Sequence, residues 1–242
     1  MGLKESGLRG SLRNVSVGIG AIPDSAVYYW LGESFADPWP DDVQELDMSV
    51  TGLSSTTVNG LDAVAGDGTD DHGLADIRDY AADWDGESAI EVAFETEDDE
   101  RDILGFAEDG NQSHRVVMGI GGSTLTNGDN SGAIAFALGD ASGNRVFFYG
   151  DSVINDGDLH SVVLNKTGNS WTGGDFEVLV DDQEETLSQH IADDDLTNIP
   201  DNWPEDMGFW GSNREGSIND IIEADVVGFG FHDETLEENT LI

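Results

Sequence analysis

Short runs in which apolar positions alternate with polar ones, or stand together as a brief apolar block, recur along the chain from about Leu46 to its end. They fall at 89–96, 102–106, 115–120, 132–138, 145–149, 161–165, 176–180, 207–210 and 222–232. Between them lie turn-forming clusters such as Asp109-Gly110-Asn111, Asn127-Gly128-Asp129, Gly139-Asp140, Asn155-Asp156-Gly157-Asp158 and Gly173-Gly174-Asp175. Brief apolar or period-two runs bounded by Gly, Asn and Asp are the signature of strands joined by tight turns. No segment sustains the 3.6-residue period of a long helix, and only 76–82 and 233–241 have the pattern of a brief helical turn. The pattern predicts an all-β antiparallel sandwich, without internal repeats.

The chain before residue 46 reads differently. In Met1–Ser25 the apolar positions Leu3, Leu8, Leu12, Val15, Val17 and Ile19 are irregularly spaced among Gly and Ser, which predicts an extended arm. Lys4, Arg9 and Arg13, three of the chain's nine basic residues, sit in it. A basic, apolar arm on an acidic protein suits docking onto an acidic partner subunit. Residues 27–43 follow with Tyr28-Tyr29-Trp30, Phe35, Pro38, Trp39 and Pro40, read as an aromatic connector lying over the domain or making oligomer contacts. The expected division is a docking arm and connector at 1–45 and one β domain at 46–242.

Charge sharpens this picture. Against 9 basic residues stand 51 acidic ones, a formal net charge of -42. Such a chain repels itself at low ionic strength. In molar salt the Debye length shrinks to about 3 Å, and a hydrated carboxylate surface stays soluble. The composition thus points to a hypersaline milieu and excludes direct nucleic-acid binding, because no basic patch is available to neutralise phosphates. With no cysteine there are neither disulfides nor thiolate ligands. No apolar run has the length of a membrane span, so membrane insertion is not expected. The first residues lack the apolar core of a signal peptide, and export is expected to occur as part of an assembled particle.

Four segments, in order, resemble the LamG-like, concanavalin A-like jelly-roll family. Residues 66–72 (GDGTDDH) resemble its opening hairpin, and 88–94 (SAIEVAF) its "F-T-I-E-A-W" strand. Residues 155–164 (NDGDLHSVVL) resemble "N-D-G-x-W-H-H-V-A-V", followed by 176–182 (FEVLVDD) in place of "L-Y-V-D-G". The closing 224–236 (ADVVGFGFHDETL) is similar to "I-D-E-V-R-I-Y-N-R-A-L-S". Leu159 stands where the family has Trp, and Asp182 where it has a turn Gly. The resemblance implies a non-enzymatic domain that binds glycans or proteins at a rim or on one sheet face, often beside Ca²⁺. The arm resembles those on structural proteins of tailed viruses of halophilic archaea. That likeness implies a virion-surface subunit on a tail fibre, baseplate or capsid turret, assembled as a trimer or pentamer, contacting other virion proteins and host surface glycans or glycoprotein. A purely architectural decoration protein is the first alternative, and a secreted concanavalin-fold glycoside hydrolase the second.

The candidate chemistry follows. Asp67, Asp70 and Asp71 are the first choice for Ca²⁺, and Asp156 with Asp158 the second, because calcium takes six to eight oxygens. For sugar stacking the candidates are Trp84, Trp171, Trp203 and Trp210, with Asn169 and Asn213 as polar partners; Trp171, at a loop tip, is the better exposed anchor, whereas Trp210 reads as core. The run Glu95-Thr96-Glu97-Asp98-Asp99-Glu100 offers alternating acids like those of concanavalin-fold glycoside hydrolases, but lacks flanking apolar residues to raise a general acid and reads as a solvated turn. The scattered His72, His114, His160, His190 and His232 show no metal-ligand spacing; His160 and His232 fall on strands as structural residues.

Overall fold

A computed structural model describes residues 22–78, 80, 86–107, 115–122, 131–140, 144–168, 173–192, 206–214 and 216–242. Its first strands are β1 (Ala26–Leu31), β2 (Trp39–Pro40), β3 (Asp47–Thr51), β4 (Ser54–Val58), β5 (Leu61–Asp67) and β6 (His72–Ala75). Then come β7 (Ser88–Glu95), β8 (Asp102–Ala107), β9 (Arg115–Ile120), β10 (Ala133–Gly139), β11 (Arg145–Val153) and β12 (Leu159–Lys166). The last are β13 (Phe176–Val180), β14 (Gln183–Glu184), β15 (Ser188–Ala192), β16 (Met207–Phe209), β17 (Ser212–Arg214), β18 (Ser217–Asn219) and β19 (Glu223–His232). The runs expected from the pattern coincide with β7 to β13, β16 and β19 to within a few residues.

Two sheets face each other. The first runs β14-β13-β12-β7-β19-β5-β4, with β1 also paired to β19; the second runs β15-β11-β10-β9-β8-β16-β6-β3-β2, extended by β17 and β18. Pairing is antiparallel apart from the short β17–β8 contact and a single bridge from Asp102 to Ile221. This is the antiparallel sandwich of jelly-roll class that the alternation predicts. Period-two geometry sends Ile90, Val92 and Phe94 of β7 and Ile134, Phe136 and Leu138 of β10 into the shared core. Aromatic rings knit the layers: Trp30 meets Phe209 edge-on at 5.6 Å, Phe209 meets Phe229 at 4.8 Å, and Phe136 stacks on Phe148 at 5.1 Å.

Three local expectations change. The aromatic segment is not a connector: β1 pairs with β19, and Trp30 and Trp39 are fully buried, so residues 26–40 belong to the sandwich. The density of large rings there is explained by core volume. The segment expected as an opening hairpin instead carries the chain between sheets, since β5 lies in the first and β6 in the second. Residues 233–241 form no helix, because side chains on the first sheet take their backbone N–H groups. Asn165 Oδ1 accepts from Leu236 at 2.8 Å, Asp182 Oδ1 from Asn239 at 2.8 Å and Glu91 Oε2 from Thr240 at 2.8 Å. Laid across that face, the tail buries Leu241 against Tyr29, Leu31, Ala93 and Val227. Beneath it Glu91 and His232, both fully buried, pair at 2.9 Å.

An acid-lined cleft as candidate functional site

At one end of the first sheet, the crossover after β5 meets the end of β7 and the starts of β12 and β19. Ala65, Asp225, Glu95 and Leu159 stand in one row across β5, β19, β7 and β12, and Asp67 pairs with Glu223 two positions along. Val64, Val226 and Phe94, one position along, point into the core. The odd-numbered positions therefore face away from it. Asp67, Asp71, Glu95, Glu97, Asp98, Glu223 and Asp225 line an open cleft of about 630 Å³. Gly157, from the turn before β12, also lines it, and no aromatic or basic side chain does.

The walls are fixed by hydrogen bonds. Asp98 Oδ2 accepts from the Glu223 N–H at 2.7 Å, Thr96 Oγ1 donates to the Glu223 carbonyl at 2.6 Å, and the Gly157 N–H donates to the Thr96 carbonyl at 3.1 Å. On the crossover, Asp71 Oδ2 accepts from the Asp67 N–H at 3.0 Å and Asp67 Oδ1 from the Thr69 N–H at 2.8 Å. Glycine is required at position 52, where φ is +74° and an added Cβ would stand 1.6 Å from Asp71 Oδ1.

Electrostatically the cleft is one-signed. Glu95 and Asp225 are direct cross-strand partners, an arrangement that disfavours two charges on one face. Burial raises Asp225 above the usual carboxylate range. The first-choice metal residues do converge: Asp67, Asp70 and Asp71 each offer an oxygen, and these lie within 4.8 Å of one another. Asp67 and Asp70 are exposed and Asp71 half-buried. Three carboxylates suit a hard cation whose remaining oxygens come from carbonyls and water.

The other expected site residues fare differently. Asp156 and Asp158 do not join a metal cluster among the described residues. Asp156 Oδ1 accepts from the Asp158 N–H at 3.0 Å and pairs with His160 Nε2 at 3.0 Å, while His160 Nδ1 meets Asp181 Oδ2 at 2.9 Å. The Asp158 N–H, with His160, holds Asp156 low. Burial disfavours the His160 charge, but Asp181 and Asp156 outweigh it and raise the imidazole. This is a clasp between β12 and the turn after β13. Asn213 is a turn-building residue and not an exposed anchor: it is buried, its Nδ2 donates to the Asp206 carbonyl at 2.9 Å and its Oδ1 accepts from the Gly216 N–H at 3.0 Å. Trp210 is core, as expected. Trp84, Asn169, Trp171, Trp203 and the arm residues Lys4, Arg9 and Arg13 lie outside the described residues.

Sequence reasoning treated Glu95 and Glu97 as a solvated turn and passed over Glu223 and Asp225. Alternation past the apolar part of β7 and β19 was the signal that puts these four acids on one face. It also passed over a smaller recess on the second sheet, where Arg101, Arg115 and Arg214 meet Asp102.

No protein-family model and no curated protein matches the chain. Solved structures do. The CBM40 of the Ruminococcus gnavus IT-sialidase, bound to α2,3-sialyllactose, superposes with a TM-score of 0.52 at 13% identity, covering 72% of this chain and 90% of that one. The binding domain of botulinum neurotoxin DC in complex with rat synaptotagmin II gives 0.58 at 11% identity, over 88% of this chain and 49% of that one. A Trypanosoma rangeli sialidase mutant displaying trans-sialidase activity gives 0.57 at 13% identity, over 90% of this chain and 32% of that one. At these identities the likeness is one of fold, a concanavalin-like β-sandwich.

Proposed function

We propose that this chain is a non-enzymatic glycan-binding β-sandwich in which the acid-lined cleft, with a Ca²⁺ ion held at Asp67, Asp70 and Asp71, receives a sugar's hydroxyl groups. The cleft is the observation that carries the reading: seven carboxylates surround an open volume of about 630 Å³. Carboxylates are strong acceptors for sugar hydroxyls, and a bound cation would offset their mutual repulsion. The sandwich fold shared with a carbohydrate-binding module bound to sialyllactose supports the same direction. The finer assignment is a virion-surface protein of a hypersaline environment, attached to other virion proteins by Lys4, Arg9 and Arg13, contacting host glycans and assembled as a trimer or pentamer. It rests on the net charge of -42 and the basic arm. Weak single sites would be strengthened by multivalency.

The test is an oligosaccharide array probed with the full chain in molar salt, with calcium or with a chelator. Calcium-dependent binding lost in Asp71→Asn is the expected result; binding to no glycan with either addition would refute the proposal. One observation favours a second reading. Asp225 is raised by burial and stands opposite Glu95, the acid and carboxylate pairing that glycoside hydrolysis employs. Release of reducing ends from an oligosaccharide, abolished in Asp225→Asn, would replace binding by hydrolysis.

A further inference from the structure

Among the described residues there are six basic side chains, and four of them, Arg101, Arg115, Arg145 and Arg214, gather on the outer side of the second sheet. Arg115 and Arg145 are both cross-strand partners of Gly139, and both guanidinium groups approach the Phe147 ring, at 5.4 and 5.9 Å from its centroid. Beside Arg115 a recess of about 150 Å³ opens between β8, β9 and β17, with Val117 and Ile120 as its apolar lining. Asp102 is buried at its base. Its Oδ2 makes no hydrogen bond among the described residues, and neither does the buried Nε of Arg214. The two groups approach only to 3.8 Å, with the Nη2 of Arg214 engaged by Asp220. Burial, then the neighbouring Arg214 and Arg145 charges, push Arg115 down to about 10. The recess thus gathers three of the six described basic side chains, set against Glu100, Asp102 and Asp220 in the same lining.

A carboxylate residue, Glu100, also borders the recess. Glu100, in the left-handed region at φ +54°, lays its side chain on Gly122, where an added Cβ would stand 1.7 Å from Glu100 Cγ and 2.4 Å from its Oε1. We propose that this recess is an oxyanion pocket for the carboxylate of a sugar acid, with Arg115 and Arg214 as donors, Asp102 as acceptor for an adjacent hydroxyl and Glu100 as an internal competitor. The sugar in this assignment rests on the glycan-binding reading; the carboxylate rests on the arginines alone. Guanidinium groups match carboxylate geometry bidentately, and pairs recessed from solvent are screened far less by salt than surface pairs. An oxyanion pocket in a hypersaline protein therefore has to be recessed.

Calorimetric titration of the full chain with glucuronate, and with glucose as neutral control, tests the pocket in molar salt. Glucuronate binds and glucose does not. Arg214→Gln, at a half-exposed position, weakens glucuronate about tenfold or more, the worth of one charge-assisted hydrogen bond. Glu100→Gly strengthens it, because glycine suits the backbone and removes the competitor. Asp102→Asn also strengthens it, because the amide keeps an oxygen to accept the hydroxyl and removes a like charge. Asp71→Asn, in the distant cleft, leaves glucuronate binding unchanged; oligosaccharide binding that persists in that variant would sink the cleft reading and not this one. Equal responses to glucose and glucuronate, or indifference to both Arg214→Gln and Glu100→Gly, would overturn the pocket.

Discussion

The two sheets place charge in opposite ways. At the end of the first, acids crowd an open cleft with no cation among its lining residues; on the second, arginines surround a buried acid in a narrow recess. Acids accumulate where water and salt reach them, because each exposed carboxylate is hydrated and its repulsion screened. Arginine, weakly hydrated and able to stack on Phe147, tolerates the half-buried sheet face where a carboxylate pays a desolvation penalty. Net charge therefore says little about the local potential at either place.

Trp30→Ala would loosen both sheets at once, since Trp30 belongs to the first sheet and packs on Phe209 of the second. Loss of about 3–5 kcal/mol is expected in denaturant unfolding, as for other large core truncations. A loss under about 1 kcal/mol would mean that β1 is peripheral after all.

Glu91→Ala acts on the first sheet alone, stranding buried His232 and the Thr240 N–H, and should cost about 2–4 kcal/mol. Faster amide exchange confined to the last ten residues and β19 would locate the effect at the tail.

Asp102→Asn probes the second sheet. Burial pushes Asp102 up to about 7. With its folded value above the unfolded one, the native state holds the proton more tightly. Its contribution is full below about pH 4 and is lost as pH rises through about 7, by about 4 kcal/mol in all. The Asn variant should lack that part of the slope; parallel stability curves for the two proteins would place Asp102 in a solvated setting.

Glu95→Gln is the mildest change. Removing one of two facing charges should stabilise the chain by about 0.5 kcal/mol at low ionic strength and by nothing measurable in molar salt. Equal gains at both salt concentrations would show that the cleft is not an electrostatic feature.

Strand positions were legible because period-two alternation and Gly-Asp turns survive on every long strand, as in β7, β12 and β19. The Asp67, Asp70 and Asp71 cluster was legible for a simpler reason: residues four apart around one crossover need no tertiary knowledge to meet. Segment 26–40 was misread because its rings say only that they need cover, and the cover comes from β19 and β16, nearly two hundred residues away. The tail at 233–241 has helix-compatible spacing, yet its N–H groups bond to Asn165, Asp182 and Glu91, partners that no local pattern announces. The arginine recess escaped for the same reason: Arg115 and Arg214 lie far apart in the chain, and only the β8, β9 and β17 pairing brings them to Asp102.

The most direct test of the cleft is a crystal structure grown in molar salt with calcium and an array-positive oligosaccharide. Density for a cation at Asp67, Asp70 and Asp71, with sugar hydroxyls against Glu95 or Asp225, is the predicted result. A sugar bound elsewhere on the sandwich, with the cleft holding water alone, would contradict it.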